Sequence, residues 1–410
     1  MFKSSENKTV VINATNIGRK LSGIGVYTLN LLRNFSEQDD KTNFIVYANQ
    51  SAKDHVSKIN FPTNFSIIWV TSLMSPDNHF KGHLLRFAFS NILSFLHKDA
   101  IVFNTSQLEV SLFNKNQVVT IHDIIPLLFK QYHFKQYFFF KYFVKIALKK
   151  CRLIVTPSNH SKSLIKHTYS ISDEKIIVIA NGTKENKSEN MINTKSGEGK
   201  YILYYGRITP MKNIAGVINS FSLIKHQIKH KLVLAGDDAK EIVKLIKNGV
   251  IKEYDAFCDR IIYAGHLSDI ELSSLIRNAS LLLFPSFYEG FGLPPLEAMS
   301  LGCPVVVSNN SSLPEICGNA AYYVEPNDNM NIATGILEVL SNSLLRENLI
   351  KTGYQRAGLF SWKETALLHL KMLNEIHQQN AVTGEKYKRK MFPPSLLDSR
   401  LDYQSVKTIR

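Results

Sequence analysis

FPSFYEGFGLPPLEAMSLGCPVVVSNNSSLPEICGNAAYYVEPND, residues Phe284 to Asp328, is the stretch on which the reading of this 410-residue chain turns. The apolar run Leu281 to Phe284 before and into it reads as a buried parallel strand, Pro285 to Phe291 as the loop after it, and Leu293 to Leu301 as a helix with prolines in its first turn. The free N–H groups and positive dipole at such a helix start attract phosphate. Gly290 and Gly292 would let backbone approach a diphosphate without Cβ obstruction. Two carboxylates flank the turn, Glu289 in the loop and Glu297 one turn inside the helix. Acids beside phosphate would repel it, so hydroxyl groups such as those of ribose and a sugar are the fitting partners. On spacing alone, an ordinary helix-start acid and an exposed Glu fit equally well.

The flanking residues go further. Two Glu with seven residues between them, bracketing Gly290-Phe291-Gly292-Leu293 after a Ser/Pro loop, resemble the donor-binding signature of the retaining glycosyltransferases of family 4. The match runs on through Glu297-Ala-Met, Gly302, Pro304-Val305-Val306, Leu313-Pro314-Glu315 and Gly318-Asn319-Ala320-Ala321. The resemblance covers residues 8–378.

Composition is that of a soluble globular protein, and 410 residues suit two domains of ordinary size. Hydrophobic residues make up 44%, and Lys, Asn or Ser interrupts every apolar run short of a membrane span. The opening MFKSSENKTVVINA enters a strand without a signal-peptide core, so a cytoplasmic address is expected. Cys151, Cys258, Cys303 and Cys317 form no CxxC pair, which speaks for reduced thiols and against a zinc site.

Apolar strands alternate with helical patterns throughout, indicating an α/β protein with mainly parallel sheets. Strands are expected near residues 10–14, 44–48, 67–70, 101–104, 118–121, 153–156 and 176–179, and again near 201–206, 231–235, 261–263, 281–284, 304–308 and 321–324. The polar stretch 184–200 between them reads as a linker. The expected organisation is a Rossmann-like acceptor domain over 1–185, a linker over 186–200 and a donor domain over 201–361, with a basic tail over 380–410. The resemblance implies the GT-B architecture, two doubly wound domains facing an interdomain cleft, with a final helix over 362–379 crossing back to the first domain.

In the second half, Gly206 ends a strand and Arg207 and Lys212 follow it. Two cations at a strand's carboxyl end can neutralise a diphosphate leaving group, and family 4 carries an Arg and a Lys at this place for that role. Without the 284–328 match, a solvated loop would be the simpler reading. Gly236-Asp237 and Gly265-His266-Leu267 are secondary candidates for the base and ribose pocket. In the first half, Gly23-Ile24-Gly25-Val26-Tyr27 lies on the first strand-to-helix loop, and a lone Gly-x-Gly is weak evidence. It resembles the family segment whose backbone borders the donor phosphates. His122 and Asp123, in TIHDIIPL, sit where a strand ends. Such a pair is often structural, with Asp capping a turn and His bonding a carbonyl. By resemblance His122 would touch the donor sugar, and Asp123 would hold the loop or orient the His.

The resemblance further implies front-side attack through an oxocarbenium-like ion pair, with the departing phosphate taking the acceptor's proton. The residues by themselves leave double displacement open. No Asp-x-Asp occurs in the chain, so no metal and no cofactor is expected.

Net charge is +11 over residues 1–185, 0 over 186–379 and +4 over 380–410. A basic first half suits nucleic acid, an anionic membrane or a polyanionic substrate. Residues 129–150 carry six Lys, no acid and many aromatics, a composition suited to an interfacial helix, although a half-buried helix with a Lys edge fits as well. No nucleic-acid motif accompanies it, so the membrane surface is the preferred partner, with Lys386 to Lys390 adding to it. The combined expectation is a peripheral enzyme at the inner face of the cell membrane. It would transfer a hexose, mannose from GDP-mannose as first choice, from a nucleotide diphosphate sugar to a lipid-linked surface glycan. A sugar-nucleotide epimerase or hydrolase on the same fold, and a catalytically silent membrane partner of polysaccharide assembly, are the alternatives.

Overall fold

The computed structural model describes residues 8–38, 42–183, 200–236, 239–251 and 259–382. The expected linker, apart from Lys200, lies outside the described residues, as do Asp237, Cys258 and the tail beyond Val382. The described residues form two compact units, one from the stretch up to Gly182 together with the helix starting at Trp362, the other from Thr183 to Ser361.

The first unit is built on a parallel sheet in the order β3-β2-β1-β4-β5-β6-β7. Its strands are β1 Thr9–Asn13, β2 Asn43–Asn49, β3 Phe65–Val70, β4 Ile101–Asn104, β5 Gln117–Thr120, β6 Leu153–Thr156 and β7 Ile176–Val178. The second unit's sheet runs β10-β9-β8-β11-β12-β13. There the strands are β8 Tyr201–Tyr205, β9 Lys231–Ala235, β10 Ile261–Gly265, β11 Leu281–Phe284, β12 Val305–Ser308 and β13 Tyr322–Val324. The central strands VVIN, IVFN, VVT, LLLF and VVV are buried along their whole length, because helices cover both faces of an all-parallel sheet and leave no side for a polar alternation. Every expected strand is present, displaced by at most a residue or two at its ends. Two doubly wound sheets of this kind are the GT-B fold.

Strand order matters more than strand count. From β1 the chain winds outward through β2 and β3, then returns to β4 on the other side; β8 and β11 stand in the same relation. The loops leaving β1 and β4, and those leaving β8 and β11, therefore diverge to opposite faces. They open a crevice at the carboxyl edge of each sheet, the place where such sheets take ligands.

The helix Trp362–Val382 belongs to the first unit and buries Ala366, Leu370, Leu373 and Ile376. His369 on it is wholly buried, and its Nε2 lies 2.8 Å from the Tyr27 hydroxyl, while Nδ1 meets the Thr365 carbonyl at 2.7 Å. Nδ1–H donates to that carbonyl, so Nε2 accepts from Tyr27. The lysine-rich stretch over 129–150 is not one helix. A short turn, Ile125–Leu128, ends at Phe129, and a new helical run starts at Phe134, because Phe129 and His133 both leave the helical backbone region. That run continues to Lys150 through a π-helical section, Phe139–Val144, whose wider turn brings both Phe139 and Phe140 to the inner face.

Candidate active site

The second unit's crevice is organised around the loop 285–292. Because β11 lies between β8 and β12, the loops after those strands flank it on both sides. From the β8 side, Asn213 takes a left-handed backbone conformation and donates its Nδ2 to the carbonyls of Pro285 (3.0 Å) and Pro326 (2.7 Å), while its Oδ1 accepts from the Gly216 amide and caps the next helix. From the β12 side, the Ser308 hydroxyl donates to the Ser286 carbonyl (2.6 Å) and Asn310 Nδ2 to the Phe287 carbonyl (3.1 Å). Ser311 Oγ accepts from the Glu289 amide, and the Ser312 hydroxyl lies within 3.0 Å of the carbonyls of Glu289 and Phe291. Gly292 closes the loop at φ 114°, where a Cβ would come within 2.7 Å of Leu313, so only glycine fits before the Leu293–Ser300 helix. Phe291 is buried, edge-on to Phe360.

The charged groups then fall into place. Lys212 Nζ lies 2.6 Å from both Glu289 oxygens, and the Glu289 side chain is 8% exposed. Arg207 follows Gly206, itself at φ 133°; its side chain is exposed and has no carboxylate partner among the described residues. Glu297 is half-buried in the second turn of the Leu293–Ser300 helix, with Oε2 3.0 Å from the Tyr205 hydroxyl. Thus Gly206, Arg207, Lys212, Glu289, Gly290, Phe291, Gly292, Leu293 and Glu297 occupy one edge of one sheet. An exposed guanidinium, an ammonium and a helix N-terminus suit a diphosphate, and the carboxylates suit hydroxyls. Gly236 and Gly265 end the neighbouring strands β9 and β10, farther along that edge.

In the first unit, the β1 loop leads into the Gly23–Ser36 helix, whose start Ser22 caps by accepting from the Gly25 amide. Tyr27 turns inward: its hydroxyl reaches Thr120 and His369, and its ring stands edge-on to His122 at 4.7 Å. His122 follows β5, with Nε2 3.0 Å from the Thr105 carbonyl after β4. Nε2–H donates there, which leaves the Nδ1 lone pair as the acceptor. Burial pushes the imidazole pKa down to about 4, so the ring is neutral near pH 7. Asp123 accepts from the Ile125 amide at 3.0 Å and holds the turn; the Thr105 carbonyl is what orients His122. Beneath these loops lies a buried ion pair, Arg86 Nε to Glu109 Oε1 at 2.7 Å, joined to Asn16 and Ser106.

Several of these residues carry no motif. Asn213 and the Ser311-Ser312 pair precede helices and show an N-cap signal, but Ser312 spends its hydroxyl on the glycine loop and makes no cap bond. Nothing local marks Tyr205, Arg86 or Glu109: Tyr205 meets Pro294 and Glu297, and Arg86 meets Glu109, across long stretches of chain.

The first unit also presents an unusual outer face. The His79–Leu96 helix exposes Phe80, Leu84, Leu85, Ile92, Phe95 and Leu96. It packs against the 134–150 run through His83 and Phe87 on Phe139. That run exposes Phe134, Phe138, Tyr142, Phe143 and Ile146 among Lys135, Lys141, Lys145, Lys149 and Lys150. Lys135 lies over the Phe80 ring at 4.9 Å, so the two helices share one basic, aromatic surface, which Phe113, tilted against Phe95 and under Lys150 at 5.7 Å, extends.

Residues 185–356 match the model of glycosyl transferases group 1, and residues 21–187 that of glycosyltransferase family 4. The O-antigen chain mannosyltransferase B of Escherichia coli is 33% identical over 266 residues, 60% of this chain and 67% of that protein. The chain belongs to glycosyltransferase family 4. Another relative, O-antigen chain mannosyltransferase RfbU of Salmonella typhimurium, is 28% identical over 350 residues, 83% of this chain and 94% of its own. Among solved structures, Anabaena HepE in complex with UDP and glucose covers 90% of this chain and 100% of its own with a TM-score of 0.66 at 16% identity, a likeness of fold. This family 4 chain is a glycosyltransferase. Among its described residues no helix is long and apolar enough to cross a membrane, and no three His, Cys, Asp or Glu side chains cluster as metal ligands.

Proposed function

We propose that the enzyme transfers mannose, with retention of configuration, from GDP-mannose to a lipid-linked or growing surface glycan of the O-antigen, capsule or exopolysaccharide type. The observation that carries the donor side is the 285–292 loop, held between Arg207 and Lys212 on one flank and a helix N-terminus on the other. The names of the relatives support mannose and the O-antigen chain.

In this reading Arg207, Lys212, the Gly206 turn and the amides around Gly290, Gly292 and Leu293 stabilise the departing diphosphate, an electrostatic effect of a few kcal/mol each. Glu297 holds ribose hydroxyls, Glu289 holds the transferred sugar, and Phe291 walls the pocket. Gly23, Gly25 and Asp123 shape the first unit's loops, where His122 accepts a sugar hydroxyl at Nδ1 and, being neutral and bonded to a carbonyl, is no general base. Both Glu289 oxygens already face the Lys212 ammonium, which blunts the carboxylate as a nucleophile and favours front-side attack over double displacement. The two cations do the work a divalent metal would otherwise do at a diphosphate, so turnover is expected to be unchanged by EDTA.

The Lys-rimmed aromatic face suits attachment to an anionic bilayer, where the ring edges enter the headgroup region and the ammonium groups meet lipid phosphates. In this reading the enzyme works at the inner face of the cell membrane. The test is a titration of purified protein with GDP-, UDP-, ADP- and dTDP-sugars, read by thermal stabilisation and by donor hydrolysis. Stabilisation by the GDP series with slow release of sugar supports the proposal. Stabilisation by another series replaces the donor, and none by any series overturns the donor site.

A further inference from the structure

We infer that Tyr205 is a positioning residue for nucleotide binding, setting the carboxylate plane of Glu297 and thereby the enzyme's preference for a ribose bearing its hydroxyls; this rests on the reading of Glu297 as the ribose ligand. Tyr205 is the last residue of β8, directly before Gly206 and Arg207, and is buried to 5% exposure. Its hydroxyl lies 2.7 Å from the Pro294 carbonyl and 3.0 Å from Glu297 Oε2. One phenolic proton faces two acceptors, a carbonyl in the first helical turn and a carboxylate in the second. Burial first, and the Glu297 charge second, push the phenol's pKa well above its ordinary value, so at any working pH it is a donor.

The consequence is geometric. Glu297 is only half-buried, and a glutamate at the edge of a helix ordinarily samples several rotamers, whose loss on binding opposes affinity. A buried phenol, fixed by its strand, shares its one proton between the Pro294 carbonyl and Glu297 Oε2 before ligand arrives. Because Tyr205 adjoins Gly206-Arg207, the same side chain also fixes the distance between the diphosphate loop and the ribose carboxylate. Binding at one end of the nucleotide is thus registered with binding at the other. A tyrosine ending an apolar strand reads in sequence as core; only the neighbouring strand order brings it to the Leu293–Ser300 helix.

The experiment measures affinities of the tightest-binding ribonucleoside diphosphate among GDP, UDP and ADP, and of its 2′,3′-dideoxy counterpart, by calorimetry. The proteins are the full chain, Tyr205→Phe, Glu297→Gln and the double variant. Tyr205→Phe keeps the buried ring and removes one oxygen. We expect it to weaken the ribonucleotide about tenfold, the size of one lost hydrogen bond to a charged group, and to leave the dideoxynucleotide unchanged. In the Glu297→Gln background the same change is expected to add less than twofold. With donor sugar, KM is expected to rise by a similar factor at constant kcat. Equal weakening of both nucleotides would reduce Tyr205 to a packing role, and unchanged ribonucleotide affinity would remove it from the site; either overturns the inference while leaving the donor site intact. If none of the diphosphates binds the parent protein, the donor reading itself falls, and the inference with it.

Discussion

The 285–292 loop of the second unit and the outer face of the first are opposite solutions to holding charge at a surface. In the loop, five carbonyls and an amide are tied to side chains from its two flanks, the one buried carboxylate is matched by a lysine, and glycine stands where a Cβ would collide. On the outer face, phenylalanines with 40–62% of their surface exposed stand beside lysines that touch rings and have no carboxylate partner among the described residues. A preorganised site binds small charged ligands with little loss of freedom; an exposed aromatic and basic surface gains nothing until something covers it. The contrast separates the residues that should govern turnover from those that should govern attachment.

The largest effect should come from the loop side. Arg207→Ala is expected to lower kcat roughly 10²- to 10³-fold while the melting temperature holds, since the guanidinium supports no fold contact among the described residues. A rise in donor KM with kcat intact would take Arg207 out of leaving-group stabilisation. Lys212→Ala should match that loss and also lower the melting temperature by several degrees, because it strands a nearly buried Glu289. Next, replacing Lys135, Lys141 and Lys149 by Gln should weaken binding to phosphatidylserine-containing vesicles about 100-fold, at about 1 kcal/mol per lysine, and leave donor hydrolysis unchanged. Sedimentation equal to the parent's would end the membrane assignment of this face. Phe80→Ser with Phe95→Ser is expected to cost roughly tenfold in the same assay, at about 25 cal/mol per Å² of ring surface inserted. A smaller effect than that would confine the contact to the 134–150 run.

Acid should distinguish the two units last and least. Burial lowers His83, His122 and His369, all in the first unit, to about 4. Unfolded, each returns to about 6.5, so between pH 6.5 and 4 the unfolded chain binds more protons and stability rises with pH. Stability is therefore full above about pH 6.5 and falls as pH drops toward 4. The second unit carries one lowered imidazole among its described residues, His230. Calorimetric scans from pH 7 to 4.5 should show the transition containing the Trp362–Val382 helix moving down faster; parallel movement would contradict the assignment.

How much of this was legible in advance follows the range of each interaction. Strands such as Leu281–Phe284 and Leu153–Thr156 announce themselves because a β-branched or apolar run with turn residues at both ends has few other ways to be buried. Glu289, Gly290, Gly292 and Glu297 were readable because strand, loop and helix start are contiguous. The basic run at 129–150 was legible as composition, yet its break before Phe134 and its π-helical section were not, since both depend on which aromatics the His79–Leu96 helix accepts.

Sequence alone therefore determined the fold class, the two sheets and the family, and it marked the stretch that forms the candidate site, all of them consequences of local pattern. Tertiary structure alone decided that Lys212 sits on Glu289, that Tyr205 bonds Glu297, that a carbonyl rather than Asp123 orients His122, and that a second, apolar helix doubles the aromatic face. Each of these joins residues from different loops or helices at a sheet edge. Strand order sets which loops become neighbours, and strand order is settled by the packing of the whole sheet, which no window of sequence contains.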